Sequence, residues 1–227
     1  MDFEENLGFW AFSRDIVIPS LWQGIGLTVE LLLISGTLGI LLGFLVAFAR
    51  ISRRPWLRWI AQIYIQLIRG TPLLLQILFV YFALPSLINI TIDAFPAGVL
   101  ALTLNAAGYL AEIFRAGIES IDKGQWEAAR SLGMSHSLTM RRIILPQTFR
   151  RIIPPTMNEM AALAKDTSLV SAVALGEMLF VAQRLGAKYL RPWEVYLWAG
   201  AGYLMIVLGL SWVARTFERR LALKGDT

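Results

Sequence analysis

Long apolar runs separated by short basic turns dominate the chain and predict five membrane-crossing helices. The first run, Leu21 to Phe48, is broken only by Glu30, and it exceeds the ~20 residues needed to cross a hydrocarbon core. Its Gly39-x-x-x-Gly43 spacing suits close helix packing, although a generic glycine-rich membrane helix is the favoured reading. The basic turn Arg50-Ile51-Ser52-Arg53-Arg54-Pro55 follows. The second span, Trp56 to Leu84, carries Gly70-Thr71-Pro72 near its middle. Those residues predict a kink or a partly unwound section, because proline removes a backbone donor. A polar loop is expected over Pro85 to Pro96. The third span, Ala97 to Ile118, sets Asn105, Gly108, Glu112 and Arg115 along one stripe, with Glu119 extending it. The fourth, Thr156 to Gln183, is the least hydrophobic. Glu159 and Asp166 are seven residues apart, so their carboxylates share one helical face, and Lys165 points about 100° away. A span this polar lines a protein interior or an aqueous path, not lipid. After a loop from Arg184 to Glu194, the fifth span runs from Val195 to Ala214.

Two stretches fall outside this pattern. Residues 1–20, with Trp10, Phe12, Arg14 and Asp15 ahead of Pro19, read as an external interfacial segment. Residues 119–153 are polar and basic. Asp122 and Gln125 have capping-box spacing, good helix formers follow, and Gly133 supplies a left-handed stop. A second short helix, Ser137 to Leu145, should end at Pro146, and Pro154-Pro155 should break the chain again. The segment therefore offers either a helix-turn-helix for a DNA groove or a docking element at the membrane's inner face. Tethering to spans at both ends favours docking.

Composition agrees with a membrane protein. Of 227 residues, 56% are hydrophobic and 16% charged, against about 25% charged in soluble domains. Cysteine is absent and His136 is the single histidine, which argues against thiol chemistry, histidine-built metal sites and serine–histidine triads. No G-x-x-x-x-G-K phosphate loop occurs, so ATP has no binding motif here. Five spans put fourteen Arg and Lys on one face and Arg14, Arg184, Lys188 and Arg191 on the other. The positive-inside rule then sets the N-terminus outside and the C-terminus in the cytoplasm.

Glu127-Ala128-Ala129, Gly133 and Ile143-x-Leu145-Pro146 fit the EAA loop of bacterial ABC importer permeases, EAA-x3-G-x9-I-x-L-P, at every spaced position. With Arg69-Gly70-Thr71-Pro72-Leu73 and Lys165-Asp166-Thr167-Ser168-Leu169, the chain resembles the polar amino-acid permeases of the histidine, glutamine and arginine uptake type from about Leu21 to Arg220. The resemblance implies an all-α integral membrane protein with the type I ABC importer permease fold. It implies one permease domain over residues 1–227, with residues 119–153 as the cytoplasmic coupling loop, in a bacterial inner membrane. Glu127, Ala128, Ala129, Arg130, Leu132 and Gly133 would form the coupling helix seated on an ATPase. Small Ala128 and Ala129 would both let the partner approach. Substrate contacts are expected at Asn105, Glu159 and Asp166, with Lys165 and Ser168 touching substrate or shaping its cavity.

The implied partners are a cytoplasmic ABC ATPase dimer, an identical or related permease subunit, an external amino-acid-binding protein, an amino acid and membrane lipid, with no nucleic acid. No cofactor is expected in this chain, since ATP and Mg would be held by the ATPase. Two other classes are weaker. An intramembrane protease dyad fails because seven residues separate the carboxylates by about 10 Å along a helix, too far to share a proton. A proton-coupled carrier is the alternative, since buried acids relay protons.

Overall fold

The computed structural model describes residues 7–222, with side chains through Thr216. Among these residues every regular element is helical. Helix α1 is Phe9–Arg50, α2 is Pro55–Gly70, α3 is Leu73–Ile88 and α4 is Ala94–Glu119. The short α5 is Lys123–Ser131. Helix α6 is His136–Val173 and α7 is Met178–Tyr189, and α8 is Pro192–Ala222. Among the described residues three helices (α1, α4 and α8) are long and apolar enough to cross a membrane singly. The count becomes five when the bent pairs α2–α3 and α6–α7 each count as one span.

Helix α4 is the central post. About two-thirds of its most apolar window is buried, against 17% for α8. Its small residues explain how. Ala106 and Leu110 face Gly39 and Gly43 of α1, where an added Cβ would lie 3.0 Å from Ala106 Cβ and 2.9 Å from Leu110 Cβ. The glycine pair is therefore a packing contact and not merely a feature of a generic membrane helix, and its partner is α4. Phe44 stacks on Phe114 at 3.9 Å between ring centroids, closing the same interface one turn further. By contrast Leu33, Leu41 and Leu45 on α1, and Leu197, Leu204 and Leu208 on α8, are exposed. Apolar side chains in such positions face lipid or another helix.

Several boundaries differ from the sequence pattern. Residues 1–6 of the expected external segment lie outside the described residues. The rest of it, from Phe9, is helical and runs into the first span through a π-helical turn at Ser13–Val17. Phe12 and Val17 are fully buried there, so this part packs against α7 and α8 as an extension of α1. The Gly-Thr-Pro site does more than kink its span: α2 and α3 meet at 107°. The polar loop shrinks because Leu84–Ile88 is still helical, with Pro85 in a first-turn position.

Neither proline site stops the chain. A π turn at Met140–Ile144 widens the helix just before Pro146, which then sits in the first turn of the following α-helical stretch. Such turns make room for a ring that an unbroken ladder would reject. Pro154 and Pro155 lie inside helix Leu145–Asp166. The carbonyls that lose donors belong to Arg150 and Arg151, both exposed residues. The fourth span instead breaks further on, bending 53° between Val173 and Met178.

Candidate functional site

Two sites emerge, one within the spans and one on the polar segment. In the first, the break between α2 and α3 is stitched by Gln76. Its Nε2 donates to the Ile68 carbonyl at 2.8 Å and to Thr71 Oγ1 at 2.9 Å. Its Oε1 accepts from Asn105 Nδ2 at 3.0 Å. Asn105 is only 6% exposed, and its amide nitrogen braces the broken span. Sequence reasoning missed Gln76. The signal was there: one amide just past a Gly-Thr-Pro break, in a run otherwise apolar.

Arg69 ends α2 at this break, with its guanidinium carbon 5.2 Å from the centre of the Tyr109 ring on α4. Glu159 on α6 is half-buried and lies within electrostatic reach of both Arg69 and Asp166. The α-helical part of α6 ends at Asp166, and Thr167–Val173 tightens into a 3₁₀ turn. Thr167 Oγ1 donates back to the Ala164 carbonyl at 2.8 Å, which fixes the change of pitch. Lys165 is exposed and interacts electrostatically with Asp166, and Ser168 is half-buried on the following turn. The structure thus groups Glu159, Asp166 and Arg69. Asn105 is tied instead to Gln76 at the α2–α3 break.

The stripe on α4 behaves as its spacing predicts. Arg115 Nη2 pairs with Glu112 Oε2 at 2.7 Å, and the same guanidinium also holds Glu119. An intramembrane acid and base compensated in this way cost far less than either alone. Among the described residues, no group of three His, Cys, Asp or Glu is placed to hold a metal ion.

The second site is α5. Asp122 caps it by accepting from the Gly124 amide at 2.6 Å. The reciprocal half of the expected capping box is not made, because Gln125 Oε1 instead accepts from Gln147 Nε2 at 3.4 Å. At the far end Gly133 adopts φ +75°, and the Met134 amide returns to the Ala129 carbonyl at 3.0 Å. That pattern satisfies the last carbonyls and requires a left-handed residue. Trp126 anchors the helix from below, packing with Ile118, Ile121 and Ile144 and lying over His136 at 5.0 Å.

What remains outward is small and specific. Glu127, Ala128 and Arg130 are exposed, and Leu132 is 81% exposed. Ala129 is not part of that face. It is 1% exposed, so only Ala128 leaves room for a neighbour. The helix after Gly133 is the first turn of α6, continuous with the span beyond. Among the described residues, no separate second helix follows Gly133 to enter a DNA groove.

Crossing helices broken beside intramembrane charges, joined to a capped polar knob, are the arrangement expected of a membrane permease. The chain belongs to the binding-protein-dependent transport system inner membrane components, a family that matches residues 39–223. It is 40% identical over 205 residues to the arginine transport system permease protein ArtQ of Bacillus subtilis (strain 168), covering 90% of this chain and 93% of that protein. It is 42% identical over 216 residues to the L-cystine transport system permease protein TcyB of the same organism, covering 93% of this chain and 92% of that protein. A solved structure described as an amino acid ABC transporter with histidines superposes with a TM-score of 0.88 at 36% identity, covering 95% of this chain and 99% of that one. The fold is that of a type I ABC importer permease, and such permeases leave ATP hydrolysis to a separate ATPase.

Proposed function

We propose that this chain is the membrane subunit of an importer that carries polar amino acids across the bacterial inner membrane, driven by a cytoplasmic ABC ATPase dimer. The carrying observation is the exposed face of α5. Leu132, Glu127 and Arg130 stand clear around the small Ala128, on a helix pinned at both ends and underneath. A helix so fixed transmits displacement to α4 and α6, which adjoin it through short turns. When ATP draws two ATPase subunits together, two such knobs move and the attached spans rock between inward-open and outward-open states. ATP and Mg are bound by the ATPase.

One chain encloses no pathway, so a second permease subunit, identical or related, completes it. An external binding protein delivers the amino acid. The relatives' arginine and cystine assignments support an amino acid as cargo. Within the spans, Glu159 and Asp166 take the ammonium group and Arg69 offers the opposite charge for a carboxylate. Lys165 and Ser168 shape the mouth of the cavity. Asn105 acts through Gln76, keeping the α2–α3 break in register. The cluster of basic residues between α4 and α6 supports a cytoplasmic knob and C-terminus with the N-terminus outside.

The test is amino-acid uptake into vesicles containing this permease, its ATPase and its binding protein. Uptake should require ATP hydrolysis and persist when the proton gradient is collapsed. Uptake driven by a proton gradient with no ATPase present would overturn the reading in favour of a proton-coupled carrier.

A further inference from the structure

Beside the knob, a groove of about 650 Å³ opens between the α1–α2 turn and the start of α6. This lies within the ~300–1,000 Å³ of small-molecule sites. Its rim is basic, formed by Arg50, Arg58, Lys123 and His136, and its floor is apolar, with Ile121 and Met140 beneath. Among the described residues, Arg50, Arg58 and Lys123 make no ion pair and no side-chain hydrogen bond. The single acid in the lining, Glu119, is already held by Arg115. Among the described residues, the three cations outnumber the one acid in the lining, and Glu112, which lies within electrostatic reach of Arg50, shares Arg115 with Glu119.

The surroundings indicate the missing anion. Arg58 lies on the first turn of α2 between Trp56 and Trp59, which are 57% and 66% exposed, with Ile60 exposed beyond. Exposed tryptophans at the end of a membrane helix sit at headgroup depth, so this groove opens where lipid phosphates lie. Basic pockets between helices at that depth hold anionic headgroups.

We propose that the groove binds the phosphate of an anionic phospholipid in the cytoplasmic leaflet, tying the coupling segment to the bilayer. Arg50, Arg58 and Lys123 take the phosphate oxygens, and Ile121 and Met140 accept the glycerol end. The site is distinct from the amino-acid site and borders the exposed face of α5, meeting it at Lys123. The proposal rests on the inward orientation above, but it is read by lipid retention, which needs no transport, so one reading can fail without the other.

The permease–ATPase complex, reconstituted in mixed phosphatidylglycerol and phosphatidylcholine, is purified and its retained lipid counted by native mass spectrometry. The wild type should retain phosphatidylglycerol selectively. Lys123→Gln, an exposed change that spares the fold, should weaken retention about 5-fold, and adding Arg50→Gln and Arg58→Gln should weaken it further by a similar factor each. The exposed pair Arg141→Gln and Arg150→Gln should leave it unchanged. Equal retention by wild type and the Lys123→Gln protein would overturn the proposal. So would displacement of the lipid by inorganic phosphate, which would mark a free-phosphate site. Loss of the ATPase with lipid retention unchanged would assign the surface to that partner and overturn it as well.

Discussion

The knob and the intramembrane site are built on opposite principles. Helix α5 is stabilised almost wholly by neighbours in sequence: Asp122 caps it, Gly133 ends it, and Trp126 packs on residues from both flanks. The intramembrane site is assembled from α2, α3, α4 and α6, through Gln76, Asn105, Arg69 and Glu159. A locally specified element keeps its shape while it is pushed. A site assembled from four helices changes shape when any of them moves, which is what access alternating between two sides requires.

The contrast is sharpened most by removing the carboxylates. Glu159→Gln with Asp166→Asn should lower uptake about 10–100-fold per lost charge-assisted contact, while the ATPase still co-purifies in full amount. Parallel loss of uptake and of ATPase binding would mean that the two regions are one structural unit. Next in size is a pair of neighbouring alanines. Ala129→Leu forces an isobutyl group into a site that is 1% exposed and should cost about 1–3 kcal/mol, read as a lower melting temperature. Ala128→Leu should leave the melting temperature alone and weaken ATPase retention. The reverse result would put the docking face on the wrong side of α5.

Smaller still, Asn105→Ala leaves Gln76 Oε1 without its donor and should cost about 1–2 kcal/mol. The double change with Gln76→Ala should cost less than the sum of the singles. Strict additivity would separate Asn105 from the break. The smallest effect is expected at Ala174, whose φ of +57° is strained for any residue with a Cβ. Ala174→Gly should stabilise the α6–α7 bend by about 1 kcal/mol, seen in thermal unfolding.

The same contrast explains what could be read from the sequence. The α5 stop at Gly133, the Gly39–Gly43 contact and the Glu112–Arg115–Glu119 stripe each depend on spacing within one helix, and the structure has all three. The α2–α3 break was legible as a site but not as a 107° turn, because its angle is set by Gln76 reaching back across it. Pro146 and Pro154-Pro155 pointed to ends that do not exist: a π turn precedes the first, and the second lies inside a helix where Arg150 and Arg151 are exposed residues. Ala129 was assigned to the outer face, but helical phase relative to Trp126 turns it inward. Asn105 was assigned to the substrate. Its hydrogen bond to Gln76, which the sequence did not show, appears only once α3 folds back over α4.

The central claim is that the outward tip of α5 meets a separate motor. Because the chain has no cysteine, Leu132→Cys introduces a unique thiol, and a bifunctional crosslinker can be placed there in native vesicles. The account predicts an adduct with the ATP-hydrolysing subunit and arrested uptake, and no such adduct from Leu197→Cys on the apolar face of α8. Continued ATP-driven uptake with position 132 fully labelled and no ATPase captured would contradict it.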